Sequence, residues 1–265
     1  VIIGVVNQKG GVGKTTTSVN LGAALAAKGK KILLIDIDAQ SNLSAHLGIG
    51  KSSDQEGSEL EPRADIESPM LPSIYDVLKG SRAIEDIVIS RSPNLDVVPS
   101  SLLLSAADLE LGGVVGRELI LKRALQKIKD KYDIIVIDCP PALGLLSLNA
   151  LAAVDKVVIP VQSEYLALHG VRQLLDTIDQ VRGIYNPALV VGGVLICLHD
   201  SRKRLARAVA DTIRAYFGDL VFDTVVRSNV SLAEAPANGQ TIFEYAPKST
   251  GAEDYTALAE EVLNG

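Results

Sequence analysis

The chain opens with the apolar stretch Val1-Ile2-Ile3-Gly4-Val5-Val6, which passes through Asn7 into Gln8-Lys9-Gly10-Gly11-Val12-Gly13-Lys14-Thr15-Thr16. A tight strand, three glycines closing on Gly-Lys-Thr and then a helical pattern constrain the fold more than any other feature. Gly10, Gly11 and Gly13 remove side chains that would keep a phosphate from the backbone amides, and they allow angles closed to other residues. The segment 15–28 has Val19, Ala23 and Ala26 at helical spacing and stops at Gly29, a C-cap residue. Its first turn would direct unpaired N–H groups and a partial positive charge at the anion. Lys14 would reach the β/γ oxygens and the Thr15 hydroxyl would bind Mg²⁺, so Lys9, Gly10, Gly11, Val12, Gly13, Lys14, Thr15 and Thr16 form the predicted nucleotide-binding set. The plain alternative, a Gly-rich turn with no ligand, does not account for the order strand, glycines, Gly-Lys-Thr, helix.

The loop departs from the usual pattern in two places. Gln8 stands where the motif begins with Gly, and Lys9 is a second lysine that the loop's own phosphates do not need. A cation on that side suggests a site completed by a second subunit.

Short apolar runs alternate with helical patterns over all 265 residues. Candidate strands are 1–6, 31–37, 95–98, 132–138, 156–161, 189–197 and 220–226. Candidate helices are 15–28, 74–79, 117–130, 144–152, 167–184, 201–217 and 251–263. Strands that are apolar throughout imply burial on both faces, the mark of a parallel sheet covered by helices. The expected fold is therefore α/β: a single-domain P-loop fold with a mostly parallel central sheet flanked by helices on both faces. Residues 51–73 break the pattern. They are acidic, proline-bearing and without period, and are read as a solvated surface loop.

The 47% hydrophobic content is enough for one large core. Cys139 and Cys197 each end an apolar run rather than forming a framework, which fits a reducing, cytoplasmic compartment. No run of about 18 apolar residues is present, so neither a membrane span nor a signal peptide is expected. The formal charge of −6 argues against a surface that is basic all over, but not against a local basic face.

Two strands end in aspartates: 31–37 leads into Asp36-Ile37-Asp38-Ala39-Gln40, and 132–138 ends in Asp138-Cys139-Pro140-Pro141. Ligands of open parallel sheets bind at the carboxyl ends of strands, so these acids should converge on the glycine loop. A hydrolytic site needs a metal ion to neutralise charge and a group to position water. Asp138 fits the metal's outer shell and Asp38 the water-positioning role, while Asp36 fits support of the metal shell or of the loop. Any one of them alone could equally be a helix cap.

Together, the loop, Asp36-Ile37-Asp38-Ala39-Gln40-Ser41-Asn42, Asp138-Cys139-Pro140-Pro141-Ala142-Leu143-Gly144, Pro160-Val161-Gln162-Ser163-Glu164-Tyr165 and Ser231-Leu232-Ala233-Glu234-Ala235-Pro236 resemble the ParA/Soj partition ATPases. These form part of the deviant Walker-A group of P-loop proteins, and the likeness runs over nearly the whole chain. Because the chain starts at the first strand, it resembles the short members without an N-terminal helix-turn-helix domain. The resemblance implies a slow Mg²⁺-dependent ATPase in which two subunits sandwich two ATP molecules. Lys9 would cross to the partner's nucleotide, and Lys14 and Thr15 would serve their own. Asp38 would be the hydrolysis residue and Asp138 the acid that holds the metal, with both aspartates reaching the ion through water. Relatives contact adenine from the stretch matched by Arg227-Ser228-Asn229, which makes Arg227 and Asn229 nucleotide candidates.

Segment 201–217 carries Lys203, Arg207 and Arg214 in one narrow stripe at 100° per residue, opposite Leu205, Val209, Ile213 and Tyr216. Arg202 and Arg204 extend the basic area. Such a face can pair with phosphates without reading sequence, although on this segment alone a solvated surface helix is the simpler reading. The resemblance favours DNA, because ATP-bound dimers of this group bind double-stranded DNA non-specifically here. The DNA candidates are Arg202, Lys203, Arg207, Arg214 and Arg227, the last displaced by one residue from the family's arginine. The implied partners are a second copy, nucleoid DNA and a ParB-like centromere-binding protein that stimulates hydrolysis.

Three other readings stay open at this point. A MinD-like membrane ATPase would need a basic amphipathic C-terminal helix, and 251–263 has no Lys or Arg. A redox ATPase like the nitrogenase iron protein would need two thiolates per subunit at a shared cluster. A ParA-like machine positioning a cargo other than DNA would share every motif.

Overall fold

The computed structural model describes residues 1–50, 71–164 and 167–265. In chain order the described elements are β1 (Ile2–Val5), α1 (Lys14–Ala27), β2 (Ile32–Asp36), α2 (Asn42–His46), α3 (Ile74–Leu78), β3 (Ile89–Ser92), β4 (Leu95–Val98), α4 (Ala107–Glu110), α5 (Ile120–Leu125), β5 (Ile134–Asp138), α6 (Leu145–Ala153), β6 (Lys156–Gln162), α7 (Ala167–Ile184), β7 (Val190–His199), α8 (Arg204–Phe217), β8 (Val221–Arg227), α9 (Val230–Glu234), α10 (Ile242–Tyr245) and α11 (Thr250–Asn264). The strands form one sheet in the order β3-β4-β2-β5-β1-β6-β7-β8. All neighbours are parallel except β3 and β4.

Along β2, Leu33 and Ile35 face one buried cluster with residues of α3, α5, α6, α7 and α8. Ile32 and Leu34 face another with residues of α1, α2 and α11. This is why β1, β2 and β5 are apolar at successive positions instead of alternating. Each such side chain contributes about 1.5–3 kcal/mol by leaving water, which favours central positions for these strands. Gly22 lets α1 lie close on the sheet, since a Cβ there would stand 2.5 Å from Leu34 Cδ2. On the same face α11 is tied to α1 through Tyr255, whose buried hydroxyl lies 3.2 Å from Thr17 Oγ1.

Several expectations need correction. The predicted helix 117–130 is broken into a 3-10 turn at Arg117–Leu119, α5 and a second 3-10 turn at Lys129–Lys131. Asn149 of α6 intervenes at its start, accepting from Leu121 N at 3.1 Å and donating to Arg117 O at 2.9 Å. The predicted helix 201–217 begins only at Arg204. Residues 200–203 form a turn closed by Lys203 N donating to Asp200 O at 3.0 Å, so Arg202 and Lys203 precede the helix. Two residues assigned to its apolar face, Leu205 and Tyr216, are exposed, whereas Val209 and Ile213 are buried. β3 has no apolar run and was not predicted. It is a partly exposed edge strand whose Arg91 donates to Leu47 O and Gly239 O. The acidic loop expected at 51–73 lies, except for its last three residues, outside the described residues.

Candidate active site

Parallel register brings the site together. Asp138 of β5 is the Cα partner of both Val5 in β1 and Asp36 in β2, so two carboxylates stand level with the start of the glycine loop. Asn7 pins that start. Its Oδ1 accepts from Lys9 N at 2.9 Å and its Nδ2 donates to Pro160 O at 2.6 Å, tying the loop to β6. Val12 anchors the middle, fully buried, and Gly13 turns the chain into α1 at φ 91°, an angle that strains any other residue. No side chain caps α1, so its first-turn amides remain for an anion.

Around this loop lies a cavity of about 610 Å³ lined by Gly10, Gly11, Gly13, Lys14, Thr15 and Thr16 together with Asp38, Gln40 and Asn42. Its remaining wall is Ala45, His46, Pro141, Leu198, Pro236 and Ala237. The predicted loop, Lys14, Thr15, Thr16 and Asp38 thus meet at one opening. Leu198, with φ 53°, and His46 have no signal in the sequence. Both are ordinary residues brought there by the ends of β7 and α2.

Asp138 is almost fully buried and accepts from the Thr15 hydroxyl at 2.7 Å and the Ser18 hydroxyl at 2.9 Å. Burial, with the nearby Asp36 charge, pushes its carboxyl up to about 7. Asp36 is also buried and is raised to about 6, chiefly by desolvation. Asp36 accepts from Ser44 N, Ser44 Oγ and Asp38 N at 2.9, 2.8 and 3.2 Å. These bonds make it a brace for the 38–44 turn rather than for the glycine loop. Asp38 accepts from Gln40 N at 3.0 Å, and its own carbonyl accepts from Ser100 Oγ.

Lys14 is the cation buried among these acids. Its Nζ donates to Lys9 O at 3.0 Å, and desolvation lowers its pKa against the pull of Asp138 and Asp38. Two buried carboxylates, Asp138 and Asp38, facing one buried ammonium leave the site short of positive charge. Among the described residues, no group of three or more His, Cys, Asp or Glu side chains forms a metal site alone. The Thr15 hydroxyl and the Asp138 carboxylate instead offer the two hard oxygens that Mg²⁺ takes from a protein when phosphates and water supply the rest.

The other predicted residues lie elsewhere. Lys9 is partly exposed and its Nζ pairs with Glu164 of its own chain. Arg227 is clamped by Asp254 at 2.6 Å and Glu253 at 3.0 Å, which raises its pKa further. Asn229 caps α9 by accepting from Ser231 N and donates to Thr250 Oγ1 at 2.8 Å. Neither Arg227 nor Asn229 lines the cavity. Arg202 is held by Asp200 at 2.9 Å, a pair that draws the Asp200 carboxyl down to about 2. Lys203, Arg207 and Arg214 are exposed, with Arg207 also donating to Ser201 O. Both cysteines, Cys139 and Cys197, are buried.

Fold and site together define a P-loop protein of the deviant Walker-A type. A family model described as an AAA domain matches residues 1–191. The chain is 48% identical over 262 residues to the sporulation initiation inhibitor protein Soj of Bacillus subtilis, covering 98% of this chain and 97% of that one. It is 41% identical to the chromosome partitioning protein ParA of Caulobacter vibrioides, covering 99% and 94%. A crystal structure of cobyrinic acid a,c-diamide synthase from Mycobacterium smegmatis with bound ADP and magnesium superposes with a TM-score of 0.81 at 35% identity, covering 99% and 94%. The chain belongs to the ParA/Soj family of chromosome-partitioning ATPases.

Proposed function

We propose that the chain is a Mg²⁺-dependent ATPase that acts as a nucleotide-controlled switch in DNA partition. The observation that carries this reading is the Thr15 hydroxyl hydrogen-bonded to Asp138, with Lys14 and Asp38 at the same cavity. The loop amides and the Lys14 ammonium bind the β- and γ-phosphates. Thr15 and Asp138, with Asp38 at the same cavity, would hold a Mg²⁺ ion, which would neutralise charge on the phosphates. Asp38 orients the attacking water, and the Asp36 brace fixes the turn that carries it. Structures of relatives with ADP and magnesium support the choice of ligands.

In this reading ATP joins two copies through Lys9, and the dimer binds double-stranded DNA non-specifically through Arg207, Arg214 and the 202–203 turn. A ParB-like protein then stimulates an otherwise slow hydrolysis and releases the subunits. Such a protein works in the cytoplasm on the nucleoid. Among the described residues no helix is long and apolar enough to cross a membrane. Tyr255, Leu258, Ala259 and Val262 of α11 are buried, and the helix packs on α1 and β8.

The test is ATP turnover with Mg²⁺, DNA and the cognate ParB-like protein, comparing wild type with Asp38→Ala. A fall of about 100-fold or more is expected from losing the group that positions water. Undiminished turnover would remove Asp38 from catalysis.

A further inference from the structure

A second concave surface, of about 620 Å³, lies between the end of α3 and α5 and shares no lining residue with the cavity at the glycine loop. The chain after α5 leads back to the start of β5. Lys127 therefore stands toward the end of the sheet where the strands begin, away from the carboxyl ends that carry the glycine loop. The floor of this groove is apolar: Val77 and Ile84 are buried, and Ile120 and Ala124 partly so. Its rim is cationic. Arg82, Arg123 and Lys127 are exposed there, against the single carboxylate of Asp86. Among the described residues none of these three basic side chains is in an ion pair. Arg123 donates to Gly116 O at 2.9 Å, which leaves most of its N–H groups free to face the groove.

The sequence around the groove has the same bias. Segment 117–131 holds six basic residues and two acidic ones in a chain whose formal charge is −6. Cations gathered on a rim without partners favour a negatively charged occupant, and an apolar floor left to water favours one that also brings an apolar side chain. We propose that this groove is a docking site for an acidic peptide segment of a partner protein. The partner's carboxylates would pair with Arg82, Arg123 and Lys127, the two guanidinium groups taking them in forked geometry. An apolar side chain of the same segment would rest on Val77, Ile84 and Ile120. Duplex DNA fits less well, because its phosphates would meet the rim and leave the floor uncovered. Docking here requires neither nucleotide nor a second copy of the chain.

The probe is a fluorescein-labelled peptide of about ten residues, glutamates with two leucines one helical turn apart, titrated with the full chain and followed by anisotropy. Wild type should bind it saturably without nucleotide, with an affinity that falls as salt is added. Arg82→Glu combined with Lys127→Glu should weaken binding about tenfold or more, because reversal replaces attraction by repulsion at two contacts. Both side chains are exposed, and circular dichroism confirms that the variant is folded. Arg82→Lys combined with Lys127→Arg should bind nearly as wild type does. Lys248→Glu, at an exposed lysine before α11 on the opposite face of the sheet, should leave binding unchanged. Absence of saturable binding overturns the proposal, and so do equal losses in Lys248→Glu and the double reversal. Equal binding of an all-glutamate peptide also overturns it, since the apolar floor would then take no part. A short DNA duplex that binds more tightly than the peptide and is weakened by the same reversal would make the groove a phosphate contact, which overturns it as well.

Discussion

Asp138 shows how a side chain can be costly to the fold and still be required by the site. Its carboxyl is fully buried, and two hydroxyls are its hydrogen-bond partners. A group whose folded pKa is raised above its unfolded value stabilises the fold below the unfolded pKa, near 3.8, and that contribution is lost as pH rises through the folded value, here about 7. Asp36 adds the same sign with a folded value of about 6, while His46, lowered to about 4, has the opposite sign below pH 6.5. Comparing Asp138→Asn with wild type isolates the one group. In nucleotide-free protein the variant's advantage in thermal or denaturant unfolding should grow from pH 5 to pH 7, by at most about 1.4 kcal/mol per pH unit, and level off above. ATP turnover should be lost in the same variant. A pH-independent difference would mean that Asp138 already has a compensating charge.

At the scale of elements, the sequence disclosed what short-range chemistry dictates. The seven apolar strands, α1 and the aspartates at the ends of β2 and β5 all follow from runs of buried residues and from turn glycines. Elements decided by tertiary contacts were not legible. Asn149 divides the helix after Gly116, Arg91 makes β3, and Asp200 delays α8 until Arg204. The same holds at the site: the glycine loop is written in the sequence, but His46 reaches the cavity because α2 packs between α1 and the 235–238 turn. Arg227 is a case where a basic residue serves an element. Its guanidinium joins β8 to the N-terminal turn of α11 through Asp254, which is nearly buried, so removing it leaves a carboxylate without its cation. Arg227→Ala should destabilise by about 1–2 kcal/mol in denaturant unfolding, while Arg207→Ala, on the exposed face of α8, should change stability by less than about 0.5 kcal/mol. DNA affinity should show the reverse order once both are compared at equal folded fraction. Equal stability of the two variants would remove Arg227 from the α11 anchor.

For the whole molecule the proposed switch raises the question of how a protein with formal charge −6 would hold a polyanion and release it on command. One subunit offers a small basic area at the start of α8, and part of that is neutralised because Asp200 holds Arg202. Two subunits double the number of phosphate contacts, and affinity falls steeply with salt in proportion to that number, so association of subunits is an effective control on DNA binding. In the proposed dimer Lys9 would exert this control. It sits at the rim of the nucleotide loop, partly exposed, with its charge held in one subunit by the surface carboxylate of Glu164. Exposed pairs of this kind contribute about 0–1 kcal/mol, so exchanging Glu164 for the phosphates of a facing nucleotide meets little resistance. Lys9→Ala should therefore still bind ATP through Lys14 and the loop amides, yet remain monomeric on size exclusion with a non-hydrolysable analogue. Its DNA affinity should fall and the salt slope should drop to about half that of wild type. Unchanged dimerisation of Lys9→Ala would separate the second lysine from assembly and leave control of DNA binding to some other contact.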